Sequence, residues 1–249
     1  MLISVVVPFY REIELIGRAV ASVFSQAKKA DADISFEILI GNDGKYTSAE
    51  IMAGIDRDNN GAVQVIQNVG PRGPGGARNT CLRESNGELI AFLDADDFWM
   101  DSKLSLQLPL INQGSTFVAS GYLLEGSDAS IVPPSSIEKS IDIFRKRGIG
   151  TSTVLVHKEL CRDKYFRDLR FSQDIDFWYR LAQAPCFKYG AVSAPSVVYS
   201  RGGSTRNKFV QLNSFYQVLK LNQIPWSERT SIIAGYAANG LVNHYLRRR

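Results

Sequence analysis

From Glu88 to Asp97 the chain reads E-L-I-A-F-L-D-A-D-D. Leu89 to Leu93 run apolar without polar alternation, the pattern of a strand buried on both faces in the middle of a parallel sheet. Such a strand ends where ligands bind, because in open α/β sheets the crevice lies outside the carboxyl ends of the strands. Here that end carries Asp94, Asp96 and Asp97. Alternation along an extended stretch points Asp94 and Asp96 the same way, so both carboxylates can converge on one hard cation, with diphosphate oxygens in its other coordination positions. The plainer alternative is an acidic surface turn leading into the next helix.

Working back from this strand, Leu2 to Val7 is expected as a first strand stopped by Pro8, which cannot donate to a sheet ladder. A helix over 11–26 puts Ile13, Ile16, Val20 and Val23 on one face. A second strand, Phe36 to Ile40, ends in G-N-D-G, so Asp43 is another carboxylate at a strand's carboxyl end. Thr47 to Glu50 has capping-box spacing and starts a short helix, and 62–66 reads as a third strand. Strand and helix alternate as in a doubly wound nucleotide-binding half. Asn68 to Asn79, N-V-G-P-R-G-P-G-G-A-R-N, lets backbone approach a ligand, and a helix beginning near Ala77 offers free N–H groups to an anion. No Gly-Lys-Ser/Thr follows, which argues against a phosphate-binding loop of the nucleotide hydrolases; a plain Gly/Pro connection is the alternative.

Beyond the acidic turn, Leu104 to Leu108 suggests a helix limited by Pro109, and Phe117 to Leu124 a strand. Ser135 to Glu138 repeats the capping-box spacing and predicts a helix whose Ile137, Ile141 and Phe144 share a face. A strand is expected over 153–157. In F-S-Q-D-I-D-F-W-Y-R-L, from Phe171 to Leu181, Asp174 stands near a helix N-terminus, where the macrodipole favours its ionised form; a simple cap is the alternative. One or two strands over 189–199, a basic glycine loop over 200–206 and two helices finish the chain, the last read as amphipathic over 231–246.

With 249 residues, 45% hydrophobic and 22% charged, the chain fits one globular domain with a helical tail. Net charge +4 is mild and speaks neither for nor against nucleic acid. Cys81, Cys161 and Cys186 are odd in number and widely spaced, which suggests a reducing compartment with neither a disulfide framework nor a zinc site. No apolar run reaches membrane-spanning length, so a cytoplasmic location is expected. The amphipathic end and Arg247 to Arg249 would suit peripheral attachment to the inner face of the cell membrane.

Taken together the segments resemble the family 2 glycosyltransferases, inverting enzymes of the GT-A fold. The resemblance is carried by V-V-V-P-F-Y ending at Tyr10, A-x-x-S-V-F-S-Q over 19–26, F-E-I-L-I-G-N-D-G over 36–44, G-x-x-x-x-x-G-A-R-N ahead of the acidic strand, and Q-D-I-D-F-W-Y-R-L at Gln173. It implies an α/β fold of GT-A type, with a Rossmann-like, mostly parallel central sheet flanked by helices. Residues 1–206 would form the transferase domain, 1–100 its nucleotide half and 101–206 its acceptor half, followed by C-terminal helices over 207–249. By resemblance, Pro8 and Phe9 line the base, Asp43 accepts a hydrogen bond from uracil, and Arg78 lies by the nucleotide. Asp94 stands near ribose and metal, Asp96 ligates Mg²⁺ or Mn²⁺, and Asp174 is the catalytic base. The implied reaction moves a hexose from a UDP-sugar to a hydroxyl of a glycan or lipid-linked glycan, with no nucleic acid involved.

The departures are specific. Gln173 replaces the family's usual Glu beside the base, Arg11 its usual Asn, and the glycine segment is longer by about three residues, enough to serve as a lid. The His usual after the last strand is missing, and Arg201 and Arg206 are candidates to supply positive charge instead. His157 reads as a strand-end residue, and Trp99 and Trp178 as core aromatics or sugar platforms. Two other classes fit less well. A nucleotidyltransferase should carry a glycine-rich basic loop directly after the first strand, where this chain has P-F-Y-R-E. A non-catalytic binding partner of a larger synthase would have no need of Asp174 beside Asp96.

Overall fold

The computed structural model describes residues 1–27, 34–55, 62–200 and 208–246. Its strands are β1 (Leu2–Phe9), β2 (Ser35–Asn42), β3 (Val63–Gln67), β4 (Leu89–Phe92), β5 (Phe98–Trp99), β6 (Phe117–Leu124), β7 (Ser130–Ile131), β8 (Leu155–His157) and β9 (Tyr189–Tyr199). They form one sheet in the order β3-β2-β1-β4-β8-β6-β9-β5, with β7 on β6. From β3 to β4 every pairing is parallel. β8 then runs antiparallel to β4 and to β6, while β6 and β9 are parallel again. All four residues of β4 are buried, because helices cover both faces of the sheet.

The helices are α1 (Ile16–Ala27), α2 (Ser48–Ala53), α3 (Pro74–Glu84), α4 (Lys103–Asn112), α5 (Asp142–Arg145), α6 (Lys158–Cys161), α7 (Gln173–Leu181), α8 (Lys208–Leu221) and α9 (Trp226–Leu246). Strand alternation sorts the core into two layers. Val5, Val7, Ala91 and Leu93 pack with Ile16, Val20 and Val23 of α1 and Leu104 of α4. Val6, Ile90, Phe92 and Phe117 face the other way, onto Phe177, Trp178 and Leu181 of α7, Phe215 of α8 and Ile232 of α9. Phe92 meets Trp178 edge-on at 5.2 Å, and Phe166 stacks on Phe177 at 4.1 Å. These buried rings, each worth ~2–3 kcal/mol of apolar burial, pin α7 to the back of β4. Trp99 and Trp178 are both core residues. Among the described residues no helix is long and apolar enough to cross a membrane. Tyr236 of α9 stacks on Phe215, while side chains from 237 onward, and Arg247 to Arg249, lie outside the described residues.

Several boundaries differ from those read in the sequence. β1 continues through Pro8 to Phe9. Its pairing with β4 ends at Val6, so Pro8 is paired with Gly41 of β2 alone, an edge-like place where a missing N–H is tolerated. α3 starts at Pro74, so Gly75 and Gly76 belong to the helix and not to a loop. Pro109 sits inside α4 instead of limiting it. Ser135 to Glu138 opens no helix, since the Glu138 and Lys139 N–H groups bond the Asp142 carboxylate, and α5 is a single turn at 142–145.

Candidate active site

The carboxyl ends of β1, β2 and β4 open onto a cleft of about 2480 Å³. Its lining brings together Pro8, Phe9, Asp43, Arg78, Asp94, Asp96 and Asp174, all singled out in the sequence. Arg201 and Arg206 lie outside the described residues. His157 pairs with Leu89 at the end of β8 and takes no part in the cleft.

Asp43 follows β2 and holds the glycine segment down. Its carboxylate accepts from Asn68 Nδ2 (2.8 Å) and from the Gly73 N–H (2.7 Å). Asn68 in turn donates to the Pro71 carbonyl and accepts from the Gly70 N–H and Thr80 Oγ1. Gly73 takes φ +111°, a conformation glycine adopts without strain. Where the added length suggests a lid, the segment is a tied turn that starts α3 close against its neighbours. A Cβ on Gly76 would stand 1.8 Å from the Pro71 carbonyl oxygen, and one on Gly75 2.1 Å from Gln173 Oε1.

The acidic turn is closed by the Asp97 N–H on the Asp94 carbonyl. Arg78, 4% exposed on α3, pairs through Nη2 with Asp94 Oδ1 and lies over the Phe166 ring. Asp96 accepts from Ser200 Oγ (2.7 Å). Asp97 lines the same cleft but is buried, accepting from Ser152 Oγ (2.6 Å) and the Ser200 N–H (3.0 Å). Ser152 Oγ also receives the Asp94 N–H, and the Ser152 N–H reaches Tyr199 Oη. Burial first, and then the neighbouring Asp94, push the Asp96 carboxyl above the usual carboxylate range and Asp97 to about 8.

This crowding of negative charge fits a divalent cation. Among the described residues no group of three His, Cys, Asp or Glu side chains is placed to hold one; at the acidic turn the donors on offer are Asp94 and Asp96, since both oxygens of Asp97 are taken by Ser152 and Ser200. Hard oxygen donors with positions left over match Mg²⁺ or Mn²⁺ shared with ligand oxygens and water, and do not match a closed zinc site.

Asp174 is the second residue of α7, after Ser172 in a left-handed turn (φ 57°). The macrodipole argument expects its carboxyl to be more acidic than usual. Burial outweighs it and raises the proton affinity, with the Ile175 N–H and the Arg78 charge pulling down and Asp94 pushing up. α7 is held from behind by buried Asp176, which bonds Arg167, Arg180 and Asn222. A half-buried carboxylate of raised proton affinity on a cleft wall is suited to accepting a proton.

No local pattern in the sequence announces Ser152, Tyr199 or Ser200, which meet the acidic turn only through the fold.

Residues 4–170 match the family model described as Glycosyl transferase family 2. An Escherichia coli relative, UDP-Glc:alpha-D-GlcNAc-diphosphoundecaprenol beta-1,3-glucosyltransferase WfaP, is 27% identical over 248 residues, covering 98% of this chain and 95% of its own. The crystal structure of S. aureus TarS 1-349 in complex with UDP-GlcNAc has TM-score 0.69 at 19% identity, covering 95% of this chain and 72% of that one. The mannosyltransferase PcManGT from Pyrobaculum calidifontis in complex with GDP-Man and Mn²⁺ has TM-score 0.61 at 17% identity, over 94% of this chain and 68% of that one. The chain belongs to glycosyl transferase family 2, and is a glycosyltransferase of polysaccharide or lipid-linked glycan assembly.

Proposed function

We propose that the protein is a metal-dependent inverting glycosyltransferase that moves a hexose from a UDP-sugar to a hydroxyl of a lipid-linked glycan. The observation that carries this is the meeting of two chemistries on one cleft: the Asp94–Asp96 turn at the end of β4 and the raised carboxyl of Asp174 at the start of α7. Residues 1–100 hold the nucleotide in this reading. Pro8 and Phe9 flank the base, Asp43 accepts from the uracil ring while anchoring the glycine turn, and Arg78 steadies Asp94 beside the ribose. Residues 101–206 shape the acceptor side, Arg201 adds positive charge by the diphosphate, and residues 207–249 follow the domain as C-terminal helices.

Asp174 takes the proton of the acceptor hydroxyl as that oxygen bonds to the anomeric carbon. The bond from that carbon to the diphosphate breaks on the opposite face, so UDP leaves and the configuration inverts. Asp96 with Asp94 would hold Mn²⁺ or Mg²⁺, which when bound neutralises charge on the diphosphate. WfaP's name specifies UDP-Glc and a diphosphoundecaprenol acceptor, TarS binds UDP-GlcNAc and PcManGT GDP-Man with Mn²⁺, which together favour a nucleotide-sugar donor, a lipid-linked acceptor and a cation.

The test is a thermal-shift panel with UDP, GDP, CDP and dTDP, each with and without Mn²⁺. A UDP shift that needs Mn²⁺ is expected, about 2.7 kcal/mol at a hundredfold excess over Kd. A preference for GDP or dTDP would replace the donor. No shift with any nucleotide would leave the alternative, a non-catalytic sugar-nucleotide or glycan-binding partner of a larger synthase.

A further inference from the structure

Charge is unevenly spread around the cleft. Its carboxylates cluster near the acidic turn, whereas the lining between Ser130 and Thr151 and between Phe209 and Tyr236 includes none, and carries Lys146 and Arg147. Lys146 is partnered by Asp142. Arg147 is different: it lies 3.9 Å over the Tyr236 ring, and among the described residues no carboxylate pairs with it. Arg170, on the same cleft and four residues before Asp174, repeats the arrangement over Phe171 at 5.4 Å. A guanidinium backed by an aromatic face keeps its N–H edge for an anion, and its fork matches phosphate oxygens.

The loop presenting Arg147 is fixed in shape. Gly148 takes φ +109°, and a Cβ there would stand 2.3 Å from the Val132 carbonyl oxygen. Phe209, 84% exposed, lines the same cleft, as does Leu212 three residues on in α8. A large aromatic with that much exposed surface in a cleft suits an apolar ligand better than water.

We propose that this wall is the acceptor's lipid-diphosphate subsite: Arg147 and Arg170 take the diphosphate oxygens, and Phe209 and Leu212 carry the first isoprenoid units. The inference rests on the transferase reading above and adds to it where the acceptor's anion and hydrocarbon sit. Because Arg170 stands four residues before Asp174 on the same cleft, a diphosphate held there would direct the attached sugar towards Asp174.

The experiment is equilibrium binding to the full chain saturated with UDP and Mn²⁺, using farnesyl diphosphate, farnesol and inorganic pyrophosphate as probes. Farnesyl diphosphate should bind more tightly than either of the others. Arg147→Ala and Arg170→Ala should each weaken it by about tenfold, the loss of one charge-assisted contact, while UDP binding and the melting temperature stay at wild-type values. Equal affinity in wild type and double variant, or farnesol binding as well as its diphosphate, overturns the proposal. Binding to phosphatidylglycerol vesicles without farnesyl diphosphate binding also overturns it, and assigns the arginines to a membrane surface. If wild type fails to bind UDP, the donor reading falls on that arm alone, and the farnesyl diphosphate arm still decides the subsite in the nucleotide-free protein.

Discussion

Gly41→Ala tests how α3 is seated on the sheet. Gly41 is buried in β2, and a Cβ there would stand 2.4 Å from the Ala77 carbonyl oxygen, 2.9 Å from its carbon and 3.0 Å from Cys81 Sγ. Ordinary contact begins near 3.4 Å, so α3 must retreat by 3.4 − 2.4 = 1.0 Å. Two of the three atoms are helix backbone, which cannot swing aside like a side chain. The cost therefore belongs at the upper end of the overpacking range, about 3 kcal/mol. At about 2–4 °C per kcal/mol for a chain of this size, the melting temperature should fall by roughly 6–12 °C. Function should suffer separately, because the residue after Ala77 is Arg78, whose partner is Asp94. An ångström of displacement there is expected to cost turnover about a hundredfold, even well below the melting transition. The assay is thermal unfolding followed by circular dichroism, with sugar transfer measured at low temperature. Gly235→Ala, exposed in α9 with nothing within 4 Å, is the control and should not lower stability. A Gly41→Ala protein that melts within about 2 °C of wild type and turns over normally would refute this account of the α3 contact.

Three further outcomes follow from the site. Asp174→Asn should lower turnover by at least ~10², while the stabilisation by UDP is retained; near wild-type turnover would remove Asp174 from proton transfer. Arg78→Met takes away the positive charge that holds down the proton affinity of Asp174, so the acidic limb of kcat/KM should move to higher pH, and an unmoved limb would break that link. Asp97 titrates near 8 when folded, against an ordinary 3.8, so between those values the folded state binds more protons than the unfolded one. Stability of the cation-free protein should therefore fall as pH rises from 3.8 towards about 8, and Asp97→Asn should flatten that slope; a slope that persists in the variant locates the effect elsewhere.

The parts of this molecule visible in its sequence are those decided by neighbours along the chain. β4 is one, since an uninterrupted apolar run has few places to go except between two layers of helix. Thr47 is another: its side chain accepts from the Glu50 N–H while its own N–H bonds the Glu50 carboxylate. The same spacing fails at Ser135 because a competing acceptor, Asp142, takes the Glu138 N–H first. Gly75 and Gly76 read as loop by propensity, yet they lie in helix α3, where Gln173 and the Pro71 carbonyl leave no room for a Cβ and so require glycine. In each case the deciding contact comes from outside the motif. Ser152 lies beyond any local signal for the same reason, touching Asp94 and Asp97 only through the fold.

Asp174 shows how such a contact can reverse a sign. A helix N-terminus stabilises a carboxylate by roughly 0.3–1 kcal/mol, less than one pKa unit at about 1.4 kcal/mol per unit. Burial can move a carboxyl by several units in the opposite direction, so depth decides and the dipole only moderates. What remains adjustable is the difference between two charges, Arg78 lowering the proton affinity of Asp174 and Asp94 raising it. Those two groups are paired to each other. Any ligand that takes Asp94 as a partner weakens the one influence and frees the other, so occupancy on the nucleotide side is expected to retune the group on the acceptor side. An acidic limb of kcat that coincides with that of kcat/KM would show that no such coupling operates.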